Sequence, residues 1–308
     1  MTIVVAGGSG FIGTMLTKRL LGQGHTVVVV ATTAPSFTHK ELFFIQCDLA
    51  HQSLPYNILE HADAVINLAG FPINKKWTPE NKNAILESRT KSTETIIDAI
   101  SKAKSRPTVF ICASATGFYG DTGEEMADEQ TGIGDSFLAG VVAEWEAAAR
   151  KATEYGVRVV CIRTAPVIGR GGFLAHLKQI AKFGILPRLK KNDFWFSWIS
   201  DIDIVNVYLF ALETTTLQGV VNAAAPEPVR YSELLQQLKK VWRHRFIMTI
   251  PQWIGKRKFG EGYEEMTNDS RVIPRRLLDK GFEFVFPTID GAIAHTTETI
   301  DNKQNEEN

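Results

Sequence analysis

Cysteine is scarce in this chain: Cys47, Cys112 and Cys161 among 308 residues. None stands in a Cys-x-x-Cys pair, and each sits in or beside an apolar run. Buried, reduced thiols are expected, and the odd number argues against a disulfide-stapled secreted framework. A surplus of one charge is also missing, since 34 Lys and Arg balance 34 Asp and Glu. A nucleic-acid reader normally carries a basic excess, so no nucleic-acid partner is expected. The short runs Lys190-Lys191 and Lys256-Arg257-Lys258 read as solvated surface. No apolar run reaches the roughly 18 residues of a membrane helix, so no membrane partner is expected. The N-terminus opens at once into a strand, so no signal peptide is expected. The expected location is the cytoplasm, or an organelle for a processed chain. Seven histidines form no His-x-x-x-His spacing and no His–Cys cluster, so no metal site is indicated.

What is present is ordinary globular composition, 44% hydrophobic and 22% charged. The length is ample to bury a core. Short β-branched runs at 3–6, 27–30, 43–45, 64–68, 109–112 and 157–162 read as strands. Helical stretches are expected at 11–21, 79–103 and 134–155. Strict alternation of the two predicts a parallel, doubly wound sheet. The fold class is α/β, a Rossmann-type domain over residues 1–165 to which segment 199–221 returns. A smaller C-terminal α/β domain is expected over 166–300, to hold substrate, with a flexible polar tail at 301–308. Ser200 and Asp203 have capping-box spacing ahead of a helix ending near residue 212.

The sharpest motif is Gly7-Gly8-Ser9-Gly10-Phe11-Ile12-Gly13, a G-x-x-G-x-x-G spacing between a strand and a helix. Missing side chains permit a tight turn and let backbone N–H groups approach a pyrophosphate. The helix N-terminus adds partial positive charge. A dinucleotide is the expected ligand, bound by Gly7, Gly10, Phe11, Ile12 and Gly13.

This spacing resembles the short-chain dehydrogenase/reductase superfamily, especially its extended branch. Asp48-Leu49 looks like the pair flanking the adenine, and Asn67-Leu68-Ala69-Gly70 like the segment beside the cofactor after the fourth strand. Ser114-Ala115-Thr116-Gly117-Phe118-Tyr119-Gly120 resembles the branch's Ser-rich stretch ending in Tyr-Gly. The run from Arg163 to Gly169, with Val167, resembles the segment against the nicotinamide end. A closer resemblance is to sugar-nucleotide epimerase-like proteins of the 39U type. It rests on Trp77-Thr78, Ser88-Arg89, Trp145-Glu146, Gly171-Gly172, Trp198-Ile199, Pro226-x-Pro228-Val229 and Ile273-Pro274-Arg275-Arg276-Leu277 before Gly281-Phe282. The resemblance spans nearly the whole chain. It implies an NAD(P)-binding epimerase or oxidoreductase, with Arg89 against the cofactor, acting on a nucleotide sugar or small carbonyl. The substrate itself is not legible.

Two departures matter. Short-chain enzymes use a Tyr-x-x-x-Lys pair, in which Tyr is the acid/base and Lys lowers its pKa. Here the helix reads Phe137-Leu138-Ala139-Gly140-Val141-Val142-Ala143-Glu144-Trp145-Glu146, with neither residue. Candidate replacements are Ser114, Thr116 and Tyr119, with Glu144 and Glu146 behind them. The plainer reading makes Ser114 and Thr116 strand-end hydroxyls and Tyr119 a pocket wall. An active enzyme with an unusual site, and a dinucleotide-binding regulatory or scaffold protein with little turnover, both remain open. Second, the strand at 27–30 ends in Ala31-Thr32-Thr33 without the acid that binds a ribose 2′-hydroxyl. That removes repulsion toward a 2′-phosphate and favours NADP, with NAD as the alternative. Trp195, Phe196 and Trp198 fit either substrate stacking or core. Self-association is left open.

Overall fold

In a computed structural model the described residues are 1–181, 184–189, 193–242 and 246–306, with side chains described except at 175–176, 179–180 and 298–306. Lys190 and Lys191 lie outside them. The chain divides into two units.

The first unit comprises Met1–Ala115, Gly140–Arg163 and Val205–Val221. Its centre is a seven-stranded sheet of β1 (Thr2–Ala6), β2 (Thr26–Ala31), β3 (Leu42–Gln46), β4 (Ala64–Asn67), β5 (Val109–Ala115), β6 (Arg158–Thr164) and a last strand, Gly219–Ala223. The order runs from Gly219–Ala223 through β6, β5, β4, β1 and β2 to β3. Pairings from β3 through β5 are parallel, with Val4 opposite both Val28 and Val65. β4 is buried throughout, and β1 in all but Thr2, as a sheet covered on both faces requires. β3 is the edge, so Phe43 and Phe44 stay exposed. The chain leaves β1 in one direction for β2 and β3, then returns to its other side at β4. That reversal opens a crevice beyond the strands' C-terminal ends.

Helix α1 (Phe11–Gly22) follows β1, and α2 (Pro79–Lys102) follows β4. Thr78 caps α2 by accepting the Asn81 N–H at 3.2 Å, with Pro79 at the first helical position. Helix α3 (Phe137–Arg150) starts later than expected and gives way to a 3₁₀ turn, Lys151–Tyr155. Ser136 sets the start, because its Oγ accepts the Ala139 N–H at 3.2 Å.

The second unit holds Thr116–Ala139, Thr164–Ile204 and Asn222–Asn308. Residues 116–139, expected in the first domain, group here because Ala127 exchanges backbone bonds with Arg271 and Ile273, each 2.9 Å. The returning segment begins at Val205 rather than 199. Three two-stranded ladders form: Val167–Ile168 with Ile199–Ser200, Trp195–Phe196 with Val229–Arg230, and Ile185–Arg188 with Phe246–Thr249. Trp198 and Phe196 are core residues, and Phe194 stacks on Tyr231 at 4.7 Å. Trp195 is half-buried. Ser200 caps the helix as its spacing predicts, its Oγ accepting the Asp203 N–H at 2.8 Å, and also donates to the Asp203 carboxylate at 2.7 Å. The expected tail is entered by a helix, Ile289–Glu306. No helix among the described residues is long and apolar enough to cross a membrane.

Candidate functional site

Three of the four glycines in the turn from β1 into α1, those of the G-x-x-G-x-x-G spacing, stand there for three different reasons. Gly7 has φ +72, where an L side chain is strained, and its N–H donates to the Val30 carbonyl at 2.8 Å. Gly13 is a packing glycine, since a Cβ there would lie 2.7 Å from Gly8 Cα. Gly10 is neither. Its φ −71 and ψ 179 suit any residue, and the nearest atom to an added Cβ is the Gly7 oxygen at 3.3 Å. A Cβ at position 10 would press on that oxygen without the overlap found at Gly13, and Gly10 itself lines the cleft at this turn. Gly10 also caps α1 with no side-chain hydrogen bond and no acid in the first turn. The N–H groups of Phe11, Ile12 and Gly13 have no partner within the helix, so its positive end remains available to an anion.

A cleft of about 560 Å³ opens at this turn. Gly7 and Gly10 line it from the β1 turn, Ala31 and Thr32 from the end of β2, and Asp48 and Leu49 from the end of β3. Leu68, Ala69 and Gly70 close it after β4. The opposite wall is α2, where Glu80, Asn83 and Glu87 stand three and four residues apart on one face. These α2 residues escaped the sequence reading, because a polar helix face looks the same whether it meets solvent or a cleft. Asp48 holds its own loop: its carboxylate accepts the Ala50 N–H at 3.1 Å and lies 3.0 Å from His51 Nδ1.

Beneath the cleft lies a buried polar node that sequence reasoning also missed. Thr93 Oγ1 accepts from Asn67 Nδ2 and from Trp145 Nε1, each 3.0 Å, and donates to the Arg89 carbonyl at 2.7 Å. Asn67 Oδ1 in turn accepts the Ala69 N–H at 3.1 Å, which shapes the Leu68–Gly70 wall. Arg89 does not line the cleft. Its Nη1 donates to the carbonyls of Phe71 (3.1 Å) and Ile85 (2.9 Å), and its guanidinium lies 5.3 Å from the Trp145 ring. Burial brings its pKa down to about 10, which leaves it charged at neutral pH. In this arrangement Arg89 holds the loop after β4 in place.

The sequence matches the NAD dependent epimerase/dehydratase family over residues 3–224 and a domain of unknown function (DUF1731) over residues 250–296. The chain belongs to the NAD dependent epimerase/dehydratase family. Its chloroplastic SDR39U1 homolog from Arabidopsis thaliana, an epimerase family protein, is 36% identical, covering 95% of this chain and 86% of the relative. Epimerase family protein SDR39U1 of Homo sapiens is 30% identical, covering 95% and 98%. A crystal structure of the human SDR39U1 protein with NADPH is similar with a TM-score of 0.83 and 29% identity, covering 97% of this chain and 99% of that one.

Two of the three candidate hydroxyls after β5 are committed within the protein. Ser114, buried, donates to Glu146 Oε1 at 2.7 Å. Glu146 is itself clasped by Arg163 through two bonds, Nε to Oε1 at 2.7 Å and Nη2 to Oε2 at 2.8 Å, with both side chains buried. Ser114 therefore completes an ion pair. In the second unit Tyr119 is buried and its hydroxyl donates to Asn222 Oδ1 at 2.7 Å. Asn222 passes the constraint on, donating through Nδ2 to the Ile273 carbonyl at 3.0 Å and through its backbone to Glu129 at 2.8 Å. Burial pushes the Glu129 carboxyl up from its ordinary value. Thr116 is buried and makes no hydrogen bond through its hydroxyl among the described residues. Val167 lies in the second unit, in the two-residue strand paired with Ile199–Ser200. Glu144 is exposed on α3. The helix that would carry the Tyr-x-x-x-Lys pair instead buries Leu138, Val141 and Val142.

Proposed function

We propose that this chain binds NADP(H) in the cleft of its first unit and supports hydride transfer, at a low rate, on a nucleotide-sugar or small carbonyl substrate. The observation that carries the reading is the cleft that Gly7 and Gly10 line at the uncapped N-terminus of α1. The first-turn N–H groups would hold the pyrophosphate, while Asp48, Leu49 and Leu68 to Gly70 would wall the adenosine. The nicotinamide, when bound, supplies a hydride donor and acceptor. A cytoplasmic location belongs to the same reading.

Cofactor choice rests on Thr32. No acid at the end of β2 opposes a 2′-phosphate, and the solved human relative carries NADPH. A neutral hydroxyl offers no charge in return, and Asp48, Glu80 and Glu87 line the same cleft. NADPH is expected to bind only modestly tighter than NADH. Thr32→Arg should widen the gap by about 1.5–3 kcal/mol through a charge-assisted contact. Equilibrium titration of both proteins with both cofactors decides this, and a wild-type preference for NADH refutes it.

The rate expectation follows from the hydroxyls. A positioned acid/base typically supplies about 10²–10⁴ in rate. With no Tyr-x-x-x-Lys pair, with the Ser114 and Tyr119 hydroxyls committed to Glu146 and Asn222, and with only the Thr116 hydroxyl left, which is no base near neutral pH unaided, that factor is expected to be missing. The same commitments favour a second reading, an NADP(H)-loaded regulatory or scaffold protein with little turnover. Nucleotide sugars and small carbonyls should be screened with both cofactors. Tyr119→Phe is expected to leave any turnover and the cofactor affinity unchanged while costing about 1–3 kcal/mol of stability, because Asn222 loses a buried donor. Robust wild-type turnover abolished by Tyr119→Phe, with cofactor affinity intact, would instead make Tyr119 the acid/base.

A further inference from the structure

Outside the cleft, a basic apolar stretch has no role in the reading above. Residues 239–258 contain seven Lys and Arg and no Asp or Glu, in a chain of zero net charge. Within this stretch Phe246 is 65% exposed, Met248 53%, Trp253 66% and Ile254 41%. Single exposed apolar residues are ordinary, but four within one strand–helix unit beside Arg257 and Lys258 are not.

Local geometry explains the exposure. In the strand Phe246–Thr249, alternate residues face opposite sides. Ile247 packs on the core of the second unit, which leaves Phe246 and Met248 outward. The following helix, Gln252–Phe259, is anchored by Gly255 and Phe259, one turn apart. Gly255 lies so close to the Tyr263 ring that a Cβ would collide, and Phe259 packs on the same core. Helical spacing then turns Trp253 and Arg257 away from the core, with Ile254 and Lys258 beside them. Trp253 is five positions after Met248, so their Cα atoms lie within about 18 Å. Lys256 is held by Glu264 at 2.7 Å, whereas Arg257 and Lys258 make no ion pair among the described residues.

Charge chooses among the possible occupants. A second copy of this face would set Arg257 and Lys258 against like charges. A nucleic acid would engage the cations and leave Phe246, Met248 and Ile254 in water. A bilayer surface of anionic headgroups satisfies both halves, since Trp and Phe enter the headgroup region while Lys and Arg meet phosphate. We propose that the strand Phe246–Thr249 and the helix Gln252–Phe259 form a docking face for an anionic lipid surface. The attachment is peripheral and revises the expectation of no membrane partner. It does not depend on the cofactor reading.

Sedimentation with vesicles tests it, using phosphatidylcholine alone and phosphatidylcholine mixed with phosphatidylglycerol. The full chain is expected to sediment with the mixed vesicles only, to be released by high salt, and to shift its tryptophan emission to the blue on binding. Trp253→Ala and the double variant Arg257→Glu, Lys258→Glu should each bind at least about tenfold more weakly. Their urea unfolding midpoints should match wild type, which shows them folded. Failure of folded wild type to sediment overturns the proposal, as does equal binding to neutral vesicles. A dimer in light scattering that Trp253→Ala splits would make the face a self-interface. DNA binding without vesicle binding would make it a polyanion site, and either result overturns the proposal.

Discussion

Gly10→Val is expected to fold and to lose NADPH and NADH binding. The three glycines of the turn separate structure from ligand. At Gly7 the positive φ, and at Gly13 the 2.7 Å approach to Gly8 Cα, make any side chain a folding defect. At Gly10 the dihedrals are ordinary and an added Cβ, 3.3 Å from the Gly7 oxygen, asks only a few tenths of an ångström of adjustment. Valine there would stand in the cleft, across the approach to the α1 N-terminus. Losing two charge-assisted backbone bonds to an anion removes about 3 kcal/mol or more, on the order of 100-fold in affinity. Fluorescence titration gives the affinity and a urea midpoint gives the stability. Gly13→Val should lower both. Undiminished cofactor affinity in folded Gly10→Val protein would end the cleft reading.

The second large effect is on stability. Glu146→Ala is expected to cost about 3–5 kcal/mol, because Arg163 keeps its buried charge without its bidentate partner and Ser114 loses its acceptor. Arg150, 3.7 Å from Glu146, loses the same partner, but its mostly exposed guanidinium keeps its solvation. Removing both charges is a different experiment. Glu146→Leu with Arg163→Met should cost far less than either single change, since a buried ion pair returns little more than its desolvation penalty. Urea denaturation of the two singles and the double closes the cycle. A Glu146→Ala cost below about 1 kcal/mol would show the pair to be solvated.

Much of the first unit is legible from residues alone, for a local reason. Strands β1, β2, β4 and β5 are short β-branched runs, and burial on both faces permits little else. The glycine turn is legible because backbone dihedrals and close approach are decided within seven residues. The Ser200–Asp203 cap is equally local. Glu80 and Glu87 are different. Their spacing on one helix face is readable, but which object that face meets is not.

Hydroxyl chemistry lies furthest from the sequence. Ser114 meets Glu146 across 32 residues, and Tyr119 meets Asn222 across 103. Nothing near either position announces its partner, so both stand in the sequence as free donors and candidate acid/bases. Residues 116–139 join the second unit for a similar reason, their backbone partners lying at Asp269 to Ile273. The pattern of residues thus settles the sheet, its direction and the anion-binding turn, because dihedral preference and hydrophobic period act over a few residues. Which polar groups remain available for chemistry is settled by packing, because a hydroxyl's proton goes to whatever acceptor the folded chain brings within 3 Å.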